Sequence, residues 1–475
     1  MSSQISIELI SGPSKSTGSL RPIVAQATGR YDVTMKVQRS HAVIEPGMFL
    51  STRDASPTYL PPQWSASVHP EGKIYFYRDS GLRIVTDSYL YTPEVGEQIC
   101  AWAHEVEKQA ADKSFVLTDS VELFLQLEDD DCNYYFVDRA TQTLFWLEEY
   151  ETSDLGLHPV VSPSHLKLVL ETQYWSHVEN FCMHFGGLPR KSIDDLILVF
   201  SHALADTLTS NLSTFPYDAS TCEKFLNLLT SSRDRIHDGH TVCFVARLWG
   251  VIIYNRYETH YGQQQPRLSR DSSILVDQDK EIQWTKSIFS SLSFGTSAPY
   301  LKQLDELFLD RFVYGADWDS FMTQCIKGWQ KITVQSVGLL LLHGFCFLLP
   351  VSPLLAYISA SMTSLSILAS ALLIHRHEEL ATAGASPAHE YLTAVSSPRI
   401  KFQGVAFAFA LPKTFFILGL VVFFSQWSIL LCQNMCLTRA ILCLGAVFVI
   451  LIAIQFSTSR KSLFSRSEKD EASMV

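Results

Sequence analysis

The stretch VQSVGLLLLHGFCFLLPVSPLLAYISASMTSLSILASALLI, residues 334–374, contains no Asp, Glu, Lys or Arg. A helix that crosses a bilayer needs about twenty consecutive apolar residues at about 1.5 Å of rise each, and a core helix of a water-soluble domain is rarely so long and so uniformly apolar. The stretch accommodates two spans, Val334 to Leu349 and Leu354 to Ile374. Pro350, Ser352 and Pro353 supply the turn between them, because two prolines remove backbone donors and stop a helix. Small residues recur along the second span (Ala356, Ser359, Ala360, Ser361, Ser364, Ser366, Ala369 and Ser370), which lets a neighbouring helix approach closely.

Working outward, a third span is expected over Thr414 to Leu431, with the apolar Gly404 to Leu411 ahead of Pro412, and a fourth over Ala440 to Phe456. Cys432 to Arg439 would make the short hairpin between them. The transmembrane region is then 334–457, a bundle of about four helices, with a tail over 458–475. In that arrangement Lys327, Lys331, Arg376, Arg399, Lys401, Lys413, Arg460, Lys461 and Arg466 share one side and Arg439 alone lies on the other. The positive-inside tendency therefore places both termini in the cytosol. Within the spans the ionisable candidates are His343 and, at an edge where it can snorkel, Lys413. His343 reads as a packed neutral histidine, so an anchor is favoured over a pore.

Ahead of Lys331 charged residues occur regularly, and the 475-residue chain is too long for one ordinary domain. A formal net charge of −11 argues against the basic face that a general nucleic-acid role needs. The ten cysteines are scattered without paired spacing, which fits reduced thiols rather than a disulfide framework. Met1 to Ala25 lacks the basic-then-apolar order of a secretory signal, so insertion is expected to be directed by the C-terminal spans. Residues 1–57, rich in Ser, Thr, Pro and Gly, are expected to be a disordered tail.

Two aromatic stretches follow. Leu60-Pro61-Pro62-Gln63-Trp64 precedes Glu71-Gly72-Lys73-Ile74-Tyr75-Phe76-Tyr77, and Arg83-Ile84-Val85-Thr86 comes next. Aromatic and β-branched residues flanking Gly-containing turns read as short antiparallel strands. The second stretch, Tyr135 to Trp146, has the same strand–turn–strand character. Both resemble WW domains. The first has the Leu-Pro-x-x-Trp opening and an aromatic pair that begins eleven positions after Trp64. The second has the pair Tyr135 and Phe136, a turn with Asp138 and Thr141, and Trp146 where the family has its second Trp.

The resemblance implies three-stranded sheets at 58–92 and 114–152 that bind proline-rich segments. Trp64, Tyr75, Phe76 and Phe136 would hold the fold, while Tyr135, Arg139, Leu144 and Trp146 would form the peptide slot. A polyproline II ligand is already extended and loses little entropy on docking between ring faces. The sequence departs from the family pattern at Thr86, which stands where the first module would have its ligand-side Trp, so the second module is the expected binder. It departs there too: Arg139 replaces the usual His, Leu144 a usual Thr, and Phe124 the fold Trp. A module this small buries little core alone. Mutual packing is attractive, and the helix expected over 93–113, with Val95, Ile99, Trp102 and Val106 at helical spacing, could lie over both. The run Glu128-Asp129-Asp130-Asp131 reads as a solvated loop.

From Ser162 the apolar period changes to about 3.6, and 160–331 is expected to form a helical cytosolic domain. Ser162-Pro163 caps a helix with Leu166, Leu170, Tyr174, Phe181 and Phe185 on one face, stopped by Gly186. Ser192 and Asp195 resemble a capping box. Val242 to Tyr257 lies in a further helix, and Leu301, Leu304, Phe308 and Phe312 mark another. Gln263 to Asp279 reads as a loop.

No Gly-rich phosphate loop, His-Glu-x-x-His, Gly-x-Ser-x-Gly or Cys-x-x-Cys occurs. Cys182-x-His184 and His375-x-His377 each lack a second pair, so neither is expected to hold zinc, and no cofactor is expected. The chain is thus expected to be an α+β membrane protein with the bilayer and proline-rich segments as partners. Its plan resembles fungal membrane proteins with an N-terminal WW-like region and C-terminal spans, a resemblance that implies no particular activity. The expected role is a membrane-anchored interaction protein. A transporter or channel, or a membrane-bound enzyme, stands as the alternative.

Overall fold

Successive residues of a strand point to opposite faces of a sheet. The pairs Tyr75-Phe76, Ile84-Val85 and Tyr135-Phe136 therefore put one apolar side chain on each face, and all six residues are buried. Strands of this kind need cover on both sides. The computed structural model describes residues 18–31, 36–50, 59–275, 282–346, 353–434 and 445, in two units, Met1–Ile274 and Leu275–Val475.

The first unit contains β1 (Leu20–Pro22), β2 (Trp64–Val68), β3 (Ile74–Arg78), β4 (Arg83–Thr86), α1 (Pro93–Asp112), β5 (Val121–Glu128), β6 (Asp131–Asp138) and β7 (Thr143–Phe145). β2-β3-β4 and β5-β6-β7 are each antiparallel meanders at the positions expected. They are not separate modules, however. β4 pairs with β5 in parallel across α1, which makes one seven-stranded sheet in the order β1-β6-β5-β4-β3-β2, with β7 also on β6. Each half alone would bury too little apolar surface, and joining them lets one helix cover both. Ile99, Trp102 and Val106 of α1 pack with Trp64, Phe76, Ile84, Leu123, Tyr134 and Phe136.

The expected tail over 1–57 is corrected in part. Leu20–Pro22 pairs in parallel with Cys132–Tyr134, because β6 would otherwise present unpaired backbone groups there. Asp131 holds the incoming chain by accepting from the backbone N–H of Ser19 at 2.7 Å and from its hydroxyl at 2.9 Å.

The other face of the sheet carries Tyr75, Val85, Phe124, Tyr135, Val137 and Leu144. It shares a core with α2 (Pro163–Asn180), α3 (Arg190–Thr209), α4 (Ala219–Ser232) and α5 (Gly239–Glu258). Ser162 caps α2 by accepting from the His165 N–H. Helix α2 is covered on several sides: His165, Val169 and Thr172 are buried along with Tyr174, so the expected single face does not describe it. The capping box is also corrected. Helix α3 starts at Arg190, and Ser192, already helical, gives its carbonyl to the Trp249 indole at 2.9 Å. The helical stretch expected as one domain over 160–331 divides after Ile274.

The second unit contains α6 (Gln283–Leu292), α7 (Ala298–Leu307), α8 (Gly315–Cys346), α9 (Pro353–His377), α10 (Ala385–Val395) and α11 (Gln403–Asn434). Phe308 and Phe312 fall beyond the end of α7. Among the described residues two helices, α9 and α11, are long and apolar enough to cross a membrane. The described part of the expected first span is the end of α8, whose first half is charged. The turn at Pro350 and Ser352, and the expected fourth span and tail apart from Gly445, lie outside the described residues. Helix α11 continues through Pro412. Neighbouring helices engage the carbonyls around the proline: the Trp329 indole donates to Phe409 O at 3.1 Å and the Ser366 hydroxyl to Pro412 O at 2.7 Å.

Candidate functional site

The four residues expected to make a peptide slot do not form an open one. Tyr135 and Leu144 are buried in the core shared with α2. Arg139 turns inward to Glu122, and the Trp146 indole donates to Ile23 O at 3.1 Å. The physical cause is the cover on this face: the helical stretch that follows the sheet lies on the side where a free meander would expose its aromatics. Tyr75, Phe76, Phe136 and Trp64 are core residues, Tyr75 on the α2 side and the other three on the α1 side.

Beneath that cover lies a polar group built on Glu122. It is a carboxylate in the otherwise apolar first part of β5, Val121-Glu122-Leu123-Phe124-Leu125, and it is fully buried. A charge in such a place requires partners. Arg139 donates to Oε2 at 2.5 Å; Nε2 of His184 and Nε2 of His177 approach Oε1 at 3.0 and 3.3 Å. The partners fix the tautomers. The Tyr75 hydroxyl accepts the N–H groups of Met183 and His184, so it donates to His184 Nδ1 at 3.2 Å. For His177 the Glu122 carboxylate itself calls for the proton on Nε2, which leaves Nδ1 to accept from the Tyr135 hydroxyl at 3.0 Å. Each Nε2 then carries the proton that faces Glu122. Burial raises the Glu122 carboxyl, but His184, His177 and Arg139 outweigh it and hold the group well below the usual carboxylate range. His177 is pushed below its ordinary value by burial, which Glu122 only partly offsets. Arg139 also spreads over the Phe185 ring at 3.8 Å and donates to the Phe185 carbonyl. With side chains this deeply covered, the group locks the sheet to the α2 region rather than meeting a solute.

Beside it, three further side chains converge from distant parts of the sequence. His69 stands in the β2–β3 turn, Cys182 just past the end of α2, and Cys243 near the start of α5. All three are buried, and their ligand atoms lie within 4.8 Å of one another. His69 Nδ1 accepts the Glu71 N–H at 3.1 Å, while Nε2 is 3.0 Å from the Glu179 carbonyl and 3.5 Å from Cys243 Sγ. The hydrogen bond from Cys182, and then His69, bring the Cys243 thiol below its ordinary range against the effect of burial; the Cys182 thiol is raised correspondingly. Sequence spacing offered Cys182 with His184, but the fold sends His184 to Glu122 instead. Residues 69 and 243 carried no local signal of the meeting. Glu122 did carry one, as the charge inside an apolar strand.

The second unit has its own unusual distribution. The buried positions of α9 are Ala356, Ser359, Thr363, Ser366, Ser370 and His377. Leu354, Tyr357, Leu365, Leu368 and Leu372 are exposed. His343 is packed between the Leu339 carbonyl and the Ser359 hydroxyl, each at 2.7 Å. Ser359 reaches Gly419 O at 2.6 Å and Ser336 reaches Ser366 at 3.0 Å. Along α9, polar and small groups thus lie inside while large apolar ones face outward, whereas the part of the unit around Trp318, Trp329 and Phe409 has an ordinary aromatic core.

No family model matches this chain, and no match was found among curated proteins or solved structures.

Proposed function

We propose that the chain is an integral membrane protein whose second unit is a transmembrane anchor of about four helices. Its first unit is a cytosol-facing, non-catalytic interaction domain. The observation that carries this reading is the inverted packing of α9. In water, exposed leucines along a helix with a serine-lined interior invert the usual order. In a bilayer, small residues at helix contacts and apolar residues toward lipid are the stable arrangement. Helix α11, with 32 residues, is about 48 Å long, enough to cross a hydrocarbon core of about 30 Å and extend beyond it. The four spans are 334–349, 354–374, 414–431 and 440–456, and the flanking lysines and arginines support cytosolic termini.

Partner binding then belongs to the outside of the first unit, since Tyr135 and Leu144 are inside it. The WW resemblance rests on strand order and aromatic placement, and a proline-containing partner would need a surface other than the Tyr135–Trp146 slot.

Two measurements test the reading. The full chain expressed in a eukaryotic cell should stay in the membrane pellet after alkaline carbonate extraction; release into the supernatant sinks the anchor. Asn211-Leu212-Ser213 is a glycosylation acceptor pattern with Asn211 exposed. It should stay unmodified in the cytosol, and a glycan on Asn211 would overturn the orientation.

A further inference from the structure

The His69, Cys182 and Cys243 group joins three segments that a second set of contacts also joins. Arg247 of α5 donates to Glu179 of α2 and to Glu71 of the β2–β3 turn, each at 2.6 Å. The close approach is built into the backbone. A Cβ on Gly239, at the start of α5, would lie 2.9 Å from Met183 Cα and 3.3 Å from the Cys182 carbonyl oxygen. Only glycine lets α5 come near enough to bring Cys243 to Cys182.

We propose that His69, Cys182 and Cys243 bind a zinc ion that fastens the β2–β3 turn to α2 and α5. The donor set is two sulfurs and one imidazole nitrogen, the soft-to-borderline set that zinc takes. Zn–S of about 2.3 Å and Zn–N of about 2.0–2.1 Å around a tetrahedral centre place sulfur and nitrogen about 3.6 Å apart. The Cys243 Sγ to His69 Nε2 distance is 3.5 Å. Two thiolates and one Zn²⁺ sum to zero charge, which suits a buried site; copper(I) would leave one negative charge there. A fourth position falls to water or to the Glu179 carbonyl oxygen.

Binding releases two thiol protons to solvent and moves the imidazole proton from Nε2 to Nδ1, so the bonds from Nε2 to the Glu179 carbonyl and from the Glu71 N–H to Nδ1 are given up. The protonated Nδ1 then donates to the Glu71 carboxylate, 3.7 Å away, and the Glu71 N–H, in the exposed turn, turns to water. Arg247, bound to Glu71 and to Glu179, holds that outer layer in place.

The test uses the full chain in detergent under reducing conditions. After dialysis against zinc it should hold one ion per chain. Replacing zinc by cobalt(II) should give the near-ultraviolet thiolate-to-cobalt band and the intense visible bands of a tetrahedral site. Cys182→Ser, Cys243→Ser and His69→Gln should each weaken binding by more than the roughly 10–100-fold of an outer-layer change, while Cys100→Ser leaves it unchanged. The wild-type cobalt spectrum keeps the test decisive if a variant fails to fold. Reduced wild-type protein without stoichiometric metal, or a cobalt spectrum lacking the thiolate band, overturns the proposal. So does a Cys182–Cys243 disulfide in protein that takes up no zinc once reduced.

Discussion

The Tyr135 hydroxyl lies 3.0 Å from Nδ1 of His177, and neither side chain has any exposed surface. The contact joins the middle of β6 to the last turn of α2. It also fixes which imidazole nitrogen faces Glu122, so a tyrosine expected at a binding surface is a strut of the interior.

Tyr135→Phe keeps the ring stacked on Phe124 and removes only the donor. His177 Nδ1 is then left buried without a partner, which costs about 1–3 kcal/mol. Chemical denaturation of the full chain in detergent, followed through loss of the first unit's signal, should show a lower midpoint with an unchanged slope. An unchanged midpoint would mean that water or another group satisfies His177.

What was legible beforehand follows from range. The strands around Tyr75 and Tyr135 were readable because turn residues and alternation act within a few positions. The uncharged run over α9 was readable because length and lack of charge are properties of the stretch itself, whatever packs against it. That β4 and β5 share an edge was not readable, since parallel pairing is decided by a twenty-residue crossover helix. Glu122 was marked only by its charge inside the apolar Val121 to Leu125. Its partners were not readable, because His177 and His184, more than fifty residues on, meet it only once α2 is folded over the sheet. The same cover turned the predicted slot around Tyr135 into core.

The acid side of the stability profile carries the signature of that group. The folded-state values of Glu122 and His177 both lie below their unfolded ones. Each contribution is therefore present above the unfolded pKa and lost as pH falls through the folded one. Loss begins below about pH 6.5 for the histidine and below about pH 4.3 for the carboxylate. Melting temperatures from pH 7.5 to 3 should fall. Glu122→Gln should be less stable at pH 7, because it leaves the half-buried Arg139 without its anion, and should show a shallower decline below about pH 4.3. Parallel profiles for the two proteins would remove Glu122 from the acid response.

Trp146 separates a slot from a strut. It sits where three apolar clusters meet and donates its indole N–H to Ile23. Trp146→Ala should therefore destabilise the first unit by about 3 kcal/mol, comparable with Trp64→Ala. Side-by-side unfolding of the two variants checks this. A Trp146→Ala chain that kept its stability but lost binding to proline-rich peptides would restore the aromatic slot.

Gly419 tests the inverted packing of the second unit. A Cβ there would lie 2.7 Å from Thr363 Oγ1 and 3.3 Å from the Ser359 carbonyl. The threonine hydroxyl can turn, but the carbonyl belongs to the α9 backbone, so relief requires the two helices to separate. Gly419→Ala should cost about 1–3 kcal/mol as an overpacked contact, although alanine is the better helix former. Gly338 on α8 is the matched control, because a Cβ there meets nothing within 4 Å. Gly338→Ala should be neutral or stabilising by up to about 1 kcal/mol. The readout is the temperature at which the detergent-solubilised chain loses its monodisperse chromatographic peak. If both variants shift it alike, α9 and α11 do not pack through Gly419, and the case for a small-residue interface inside an apolar exterior falls with it.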